Sequence, residues 1–383
     1  MRRVAIVGSG QVPVRKLHEL GLRELGSLVV EKALGETDKS RVEALYLSNM
    51  LSDELQGQKH LASLVSDQAE LAGVEAIQVR AATAAGAAAL RVAHMAVGSG
   101  TVQLALAVGV EKMSAQAPTA ALAKALDARS EVPEGKTLLS QNARLMQLYL
   151  ESYGLTAEAL SHFAVNAHRN AQYNPNAMFK DRQFTEKQVE ESRLIYPPLR
   201  LLDCSPVSDG AAAVLLAPVA DAQKYTNSPV EIIASSATTD RFRMADRGNP
   251  LHLEAATLSA RQAFFEAGIE REDVSFFELH DAFSIMACLL LEATGFAEPG
   301  RGWELAASGN IGLKGLVPIA TMGGLKARGH PIGATALYQT CEIVQQLTGQ
   351  AGENQLDGPR VAMLQSVGGA GTTVLTHLFA AGG

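Results

Sequence analysis

A chain of 383 residues exceeds one ordinary domain and suits two units of about 150–200 residues. With 47% hydrophobic and 19% charged residues it can bury a large core, which excludes global disorder. A formal charge of −7 without a basic run excludes nucleic acid and anionic membrane as partners, and the Ala-rich, Gly-interrupted apolar stretches fall short of the roughly 18–20 residues of a membrane span.

In chain order, residues 3–7 (RVAIV) form a predicted first strand, with no signal-peptide segment ahead of it. An amphipathic helix over about 22–34 and a strand over 44–48 follow, then a Gly/Ala-rich helix over 85–96 and an apolar strand over 102–108 that runs into Gly109. Residues 114–197 are more polar and are expected to be helical at 141–153 and 157–173; they read as an inserted loop domain. Tyr225-Thr226-Asn227-Ser228-Pro229 breaks the pattern, placing the N-terminal unit at 1–227 and the C-terminal unit at 228–383. After it the same order returns: strand 230–234, helix 253–267, strand 276–279, a Gly/Ala-rich helix over 332–347 and a strand over 360–365 ahead of Gly368-Gly369. Strands alternating with helices predict an α/β fold with a mainly parallel sheet, and the repetition predicts two equivalent halves. Cys204, Cys288 and Cys341 are odd in number and widely spaced, which argues against a disulfide framework and for a reducing cytoplasm.

Chemistry concentrates in residues 322–338, MGGLKARGHPIGATALY. His330 stands between Gly329 and Pro331 at a predicted loop-to-helix junction, where proline suits the first turn. It is a candidate site residue; the bland alternative is a histidine that satisfies a helix-start carbonyl. His280 ends the apolar run FFEL, and strand C-termini are where α/β folds place ligands. A buried structural pair with Asp281 is the alternative, and Asp281 itself is expected to cap the helix that starts at Ala282-Phe283. Gly8-Ser9-Gly10 imitates a dinucleotide fingerprint, but the third glycine would fall at Pro13, so no nicotinamide cofactor is expected. No Cys/His cluster has metal-ligand spacing, so no metal is expected either.

The segment GHPIGAT (329–335), together with GVEKM at 109–113, SDGAAAV at 208–214, HDAF at 280–283 and SVGGAG at 366–371, resembles the thiolase family over nearly the whole chain. HDAF, in place of Asn-Glu-Ala-Phe, is nearer the sterol-carrier-protein-type and archaeal, acetyl-CoA acetyltransferase-like members. The resemblance implies a thiolase fold: two pseudo-symmetric βαβαβαββ halves in five α-β-α-β-α layers, with the loop domain inserted. Edge-to-edge pairing of N-terminal sheets would then give a homodimer or tetramer. Acyl-CoA or coenzyme A is implied as substrate or ligand, with no permanently bound cofactor. His330 would be the base that activates the nucleophile, His280 part of an oxyanion hole, and Gly369 a backbone donor to the thioester oxygen. Ser205, Val207, Ser366 and Gly368 would complete the ligand-binding set, with Ser205 and Val207 along the pantetheine arm.

The departures are as telling. The nucleophile position, in VRAATAAGAAAL at 79–90, holds Thr83 in place of cysteine. The second thiol position holds Ser366, the cysteine that sterol-carrier-type relatives carry inside HDxF is Ala282, and Ala320 stands where relatives often carry Asn. Three readings stay open: an acetyl-CoA acetyltransferase-class protein with weak or absent thiolysis; a CoA-ester retro-aldol lyase subunit working with a small zinc-ribbon/OB-fold partner; and a non-catalytic acyl-CoA or lipid carrier or scaffold subunit.

Overall fold

Residues 1–382 are described by the computed structural model. The N-terminal run is β1 (Val4–Gln11), α1 (Leu22–Leu34), β2 (Ala44–Ser48), the single turn α2 (Ser52–Leu55), α3 (Leu61–Gln68), β3 (Glu75–Val79), α4 (Ala85–Ser99) and β4 (Ala105–Glu111). An excursion follows with α5 (Thr119–Ala123), α6 (Leu138–Tyr153), α7 (Ser161–Ala171), α8 (Glu186–Glu190) and a small hairpin of β5 (Leu194–Tyr196) and β6 (Leu199–Arg200). The chain returns as β7 (Gly210–Pro218). The second run is β8 (Val230–Thr239), α9 (Glu254–Ala267), β9 (Phe276–Glu278), α10 (Ser284–Ala293), α11 (Gly302–Ala307), α12 (Thr335–Leu347), β10 (Val361–Gly368) and β11 (Thr373–Ala381).

Nine strands join in the order β3-β2-β4-β7-β1-β8-β11-β10-β9. Strands linked through crossover helices pair in parallel, β2 with β3 and β4, and β9 with β10. The closing strands β7 and β11 run against the rest of their half, so their joints are antiparallel, as is the seam between halves where β1 meets β8. The N-terminal half thus completes the βαβαβαββ order. In the C-terminal half the third strand shrinks to one parallel bridge, Phe277 to Ile319. Pro318 has no N–H to give a ladder, and Ala320 turns out of the extended region at φ 48°.

Five layers follow from which faces are apolar. Leu25 and Val29 of α1 and Leu61 and Val65 of α3 cover one outer face, on Leu45, Leu47, Leu106 and Val108. Ala255 and Ala260 of α9 and Ile285 and Leu289 of α10 cover the other. Between the two halves of the sheet lie α4 and α12, with Ala87, Leu90, Leu337 and Cys341 packed on strands of both halves. Small residues make that double burial possible. A Cβ on Gly109 would stand 2.6 Å from Ala334 Cα and Gly333 O, and one on Gly210 would stand 2.5 Å from the Tyr338 hydroxyl.

Three strands of the main sheet, β3, β7 and β11, escaped the sequence pattern, as did the short hairpin of β5 and β6. β7 (GAAAVLLAP) is buried on both faces, so it has no alternation, and its alanines favour strands weakly. β3 is a five-residue edge strand whose isoleucine is exposed and whose glutamine is half-buried, so it shows no inward apolar alternation. The expected 102–108 strand begins later, at Ala105, and the expected 157–173 helix splits into a 3-10 turn, Ala157–Leu160, and α7. Each half also holds one Ala-Thr step with the alanine at φ 48°, Ala82-Thr83 and Ala320-Thr321. L-residues enter this left-handed region at a cost of about 1–2 kcal/mol.

Gly109→Ala is expected to destabilise the protein by about 1–3 kcal/mol in urea titration, because the two nearest of the atoms it meets are backbone. Gly248→Ala, where nothing lies within 4 Å, is the control and should stay within roughly 0.5 kcal/mol of wild type.

Candidate functional site

Four segments from both halves converge. Thr83 sits just ahead of α4, His280 just past β9, His330 on the loop into α12, and Gly369 just past β10; all four line one pocket, with Ser205 and Val207 beside them. Ser366 and Gly368, on β10 itself, are not among the lining residues. Gly368 is pressed against the chain entering α4, where a Cβ would stand 2.7 Å from Ala81 O. The Ser366 hydroxyl is buried and has no hydrogen-bond partner.

The two imidazoles meet edge to face, ring centroids 5.2 Å apart and planes at 87°. His330 is fixed at two points: its backbone N–H donates to Ser208 Oγ at 2.9 Å, and its Nδ1 lies 2.7 Å from Thr335 Oγ1. The Thr335 hydroxyl donates to Pro331 O at 3.1 Å, so it accepts from His330 Nδ1–H. That assigns the proton to Nδ1 and leaves Nε2 as a bare base. Burial pushes His330 well below the usual histidine value, and the neighbouring His280 and Arg328 push the same way. Burial alone takes His280 down to about 3. Its Nδ1 is buried without a partner. Both rings are therefore neutral around pH 7, each with one nitrogen that can give a hydrogen bond and one that can accept one without carrying charge.

Thr83 is engaged on both sides. Its hydroxyl donates to Val367 O at 2.6 Å and accepts from Gly369 N–H at 3.2 Å, in a setting only 6% exposed. The hydroxyl therefore braces the start of α4 against the end of β10. The Gly369 amide, expected to face a thioester oxygen, is bonded to this side chain.

Charged residues hold the loop. Glu111 is fully buried and accepts from Asn49 Nδ2, Met50 N, Leu51 N and Gly333 N; burial raises it to about 7 against those bonds. Asp209, of the SDG segment, accepts from the backbone of His18, Met113 and Ser114. Asp281 does not cap a helix: the residue at the cap of α10 is Phe283, and Asp281 Oδ1 accepts from Leu325 N at 2.7 Å instead. The strand end at His280 leaves Asp281 facing the 324–328 turn, whose amides need an acceptor. Lys326 Nζ donates to Asp203 O at 2.7 Å, and Arg328 Nε lies 3.0 Å from Glu342 Oε1, with both partners fully buried.

The pocket also holds residues the sequence pattern did not single out, among them Leu122, Leu138, Leu139, Asn142 and Met286. Most lie in or beside the polar excursion, where no motif marks them. Cys204, Cys288 and Cys341 do not line it, and burial raises the Cys204 and Cys341 thiols to about 12. Ala320, at 2% exposure, is outside it too. Among the described residues, no group of three His, Cys, Asp or Glu side chains stands where it could hold a metal ion, and no helix is long and apolar enough to cross a membrane.

Against known proteins, the thiolase N-terminal domain matches residues 4–220 and the thiolase C-terminal domain-like family matches residues 236–381. An acetyl-CoA acetyltransferase of Methanothermobacter thermautotrophicus is 39% identical, over 99% of this chain and 100% of that protein. Sterol carrier protein 2 of Bos taurus is 30% identical, over 98% of this chain and 72% of that protein. A solved chain of the Ltp2-ChsH2(DUF35) aldolase shares the fold, with a TM-score of 0.86 at 22% identity over 98% of this chain and 97% of that one.

Long-range 1H–15N NMR should show His330 with Nδ1 protonated and Nε2 bare, and both site imidazoles still neutral at pH 5. An unfolded histidine takes a proton near 6.5, whereas these folded ones resist it. Stability from the two rings is therefore complete above about pH 6.5 and is lost as the pH falls towards their folded values. A site imidazole that is charged at pH 6 would contradict the assignment.

Proposed function

The chain belongs to the thiolase family, and we propose that it binds CoA thioesters in the His280–His330 pocket without ever carrying an acyl group on Thr83. The hydrogen bonding of Thr83 carries this reading. Its single proton is given to Val367 O, so removal by His330 would require that buried bond to break first. The alcohol is also a poor substitute for a thiol. With intrinsic values near ~15.7 against ~8.5, ionising it costs on the order of 10 kcal/mol more. Acyl transfer from an oxyester to CoA is uphill, whereas exchange from a cysteine thioester is nearly level. With Ser366 and Ala282 in the other thiol positions, thiolysis is weak or absent.

A second reading is favoured by one observation, the bare Nε2 of His330 beside a neutral His280. Retro-aldol cleavage of a β-hydroxyacyl-CoA needs a base for the hydroxyl proton and a donor for the enolate oxygen, but no nucleophile. Such a lyase would work with a small zinc-ribbon/OB-fold partner, and a tagged chain would retain that partner through purification.

The same proposal places the protein in the cytoplasm, supported by three unpaired cysteines, with halves at 1–227 and 228–383 and an insert at about 114–197. It makes the assembly a homodimer through β3, an edge strand on which Ile77 is 47% exposed.

Thiolysis of acetoacetyl-CoA and intact mass after incubation with acetyl-CoA should be measured for wild type, Thr83→Ala and Thr83→Cys. Wild type and Thr83→Ala should show negligible thiolysis and no 42 Da adduct, about the mass of one acetyl group. Thr83→Cys should react with iodoacetamide and acylate, because a helix N-terminus lowers a thiol's pKa and the bare Nε2 of His330 can accept its proton. Its turnover should stay roughly 10²–10⁴-fold below that of an enzyme with a positioned second acid. Wild-type thiolysis that Thr83→Ala abolishes would make the threonine a working nucleophile and overturn the proposal.

A further inference from the structure

Gly369 reaches Thr83 from a turn of small residues, Gly368-Gly369-Ala370-Gly371-Thr372, which offers few side-chain atoms to hold it by packing. Gly369 and Gly371 stand at φ 69° and 86°, and the Thr372 N–H closes the turn on Gly368 O at 3.1 Å. The grip from outside comes from residues 240–247, ahead of α9. There the Asp240 N–H donates to Thr372 O at 2.8 Å, and Phe242 O accepts from the Thr372 hydroxyl at 3.1 Å. Arg247 adds a fork. Its Nη1 donates to Ala370 O at 2.7 Å and its Nη2 to Thr372 Oγ1 at 3.1 Å. Its Nε donates to Arg241 O at 3.2 Å and lies 3.3 Å from Asp240 Oδ2. The side chain is only 2% exposed, and a Cβ on Gly371 would stand 3.2 Å from Nη1.

We infer that Arg247 is a positioning residue of the site: its forked hold on Ala370 and Thr372 aims the Gly369 amide at the side-chain oxygen of position 83. This rests on the CoA-ester reading above, which depends on the engagement of Thr83. A planar guanidinium that grips two acceptors two residues apart fixes the orientation of the turn as well as its distance, which a single ammonium cannot do. Burying so polar a group is costly unless every donor is met, and here the donors are met by the turn and by the segment that carries it. Arg247 is not among the residues that line the His280–His330 pocket, so it acts on that pocket through the turn. Its own charge is answered locally by Asp240.

The Thr83→Cys chain reads the aim, because its sulfur takes the place of Oγ1 and an amide pointed at it stabilises the thiolate. The pH profile of iodoacetamide alkylation, followed by peptide mass at position 83, gives that thiol's pKa. It should be measured for Thr83→Cys alone and with Arg247→Lys, Arg247→Met or Thr372→Val added. Arg247→Lys keeps the charge and loses the fork. It should raise the pKa by about one unit, about tenfold less thiolate at neutral pH, the scale of one hydrogen bond to a charged group. Arg247→Met should raise it at least as far. Thr372→Val, which removes the acceptor of one arm, should raise it by less. The helix N-terminus acts alike in all of these chains, so the differences belong to the turn. An unchanged pKa in Arg247→Lys would overturn the inference, because a shift confined to Arg247→Met would be a loss of charge felt at a distance. If the arginine variants do not fold, Thr372→Val decides, and an unchanged pKa there overturns the inference as well. Thiolysis by the wild-type chain tests the CoA-ester reading without any change at Arg247, so either can fail while the other stands.

Discussion

The Glu111 carboxylate is the joint on which the site depends. It lies at the end of β4, out of reach of water, and its four donors come from two places: Asn49, Met50 and Leu51 in the N-terminal half, and Gly333 ahead of α12. Ser48 Oγ grips the other side of the same glycine, donating to Gly333 O at 2.6 Å. An unsatisfied buried carboxylate is costly, so each donor is held in place by the need of the others. The entry to α12 is thereby fixed against Gly86 and Gly109, which have no side chains to push it away. His330 lies three residues upstream of that clamp, and Thr83 lies three residues upstream of Gly86. One buried carboxyl group therefore sets the separation of the two central helices and of the side chains at their starts.

Behind the histidines the loop is tied down by charge instead of by apolar packing. Arg328 is wholly buried, beside Glu342 and 4.9 Å over the Tyr338 ring, whose hydroxyl bonds back to Val12 O just past the first strand. Glu278 accepts from Thr321, and Asp281 accepts from Leu325. Burial pushes Glu278 and Glu342 up to about 7 and 8, with Arg328 opposing the rise in both. Such a network contributes little net stability compared with a packed apolar core, but it rejects alternative arrangements of the loop because each would strand a charge. That fixity allows a neutral imidazole to keep one tautomer and one direction.

Periodicity in the sequence was enough to expose the repeat, because most strands and covering helices bury one face and expose another. It missed β7, where both faces are buried and the alanines that let α12 approach erase the alternation. The reactive positions were legible as glycine-framed motifs, since Gly329, Gly333 and Gly369 are required by backbone shape and close approach. The partners of those positions were not legible. Nothing in the sequence says that Thr335 sets the tautomer of His330, or that Asp281 serves a turn 44 residues away instead of its own helix. The apolar wall at Leu139 and Met286 was equally silent, because core residues and pocket residues look alike until their neighbours are known.

The paired Ala-Thr steps say something about ancestry. Duplication of a single unit would carry the left-handed alanine into both copies, and both halves hold it, at Ala82 and Ala320. Thr321 shows what that kink supports when no chemistry is asked of it: a hydroxyl that donates to a buried neighbour, Glu278 Oε1, at 2.6 Å. Thr83, donating to Val367 O at the same 2.6 Å, has the occupation of its twin. At both kinks the hydroxyl ties the start of the following segment to a buried acceptor, so position 83 does for the scaffold of one half what position 321 does for the other.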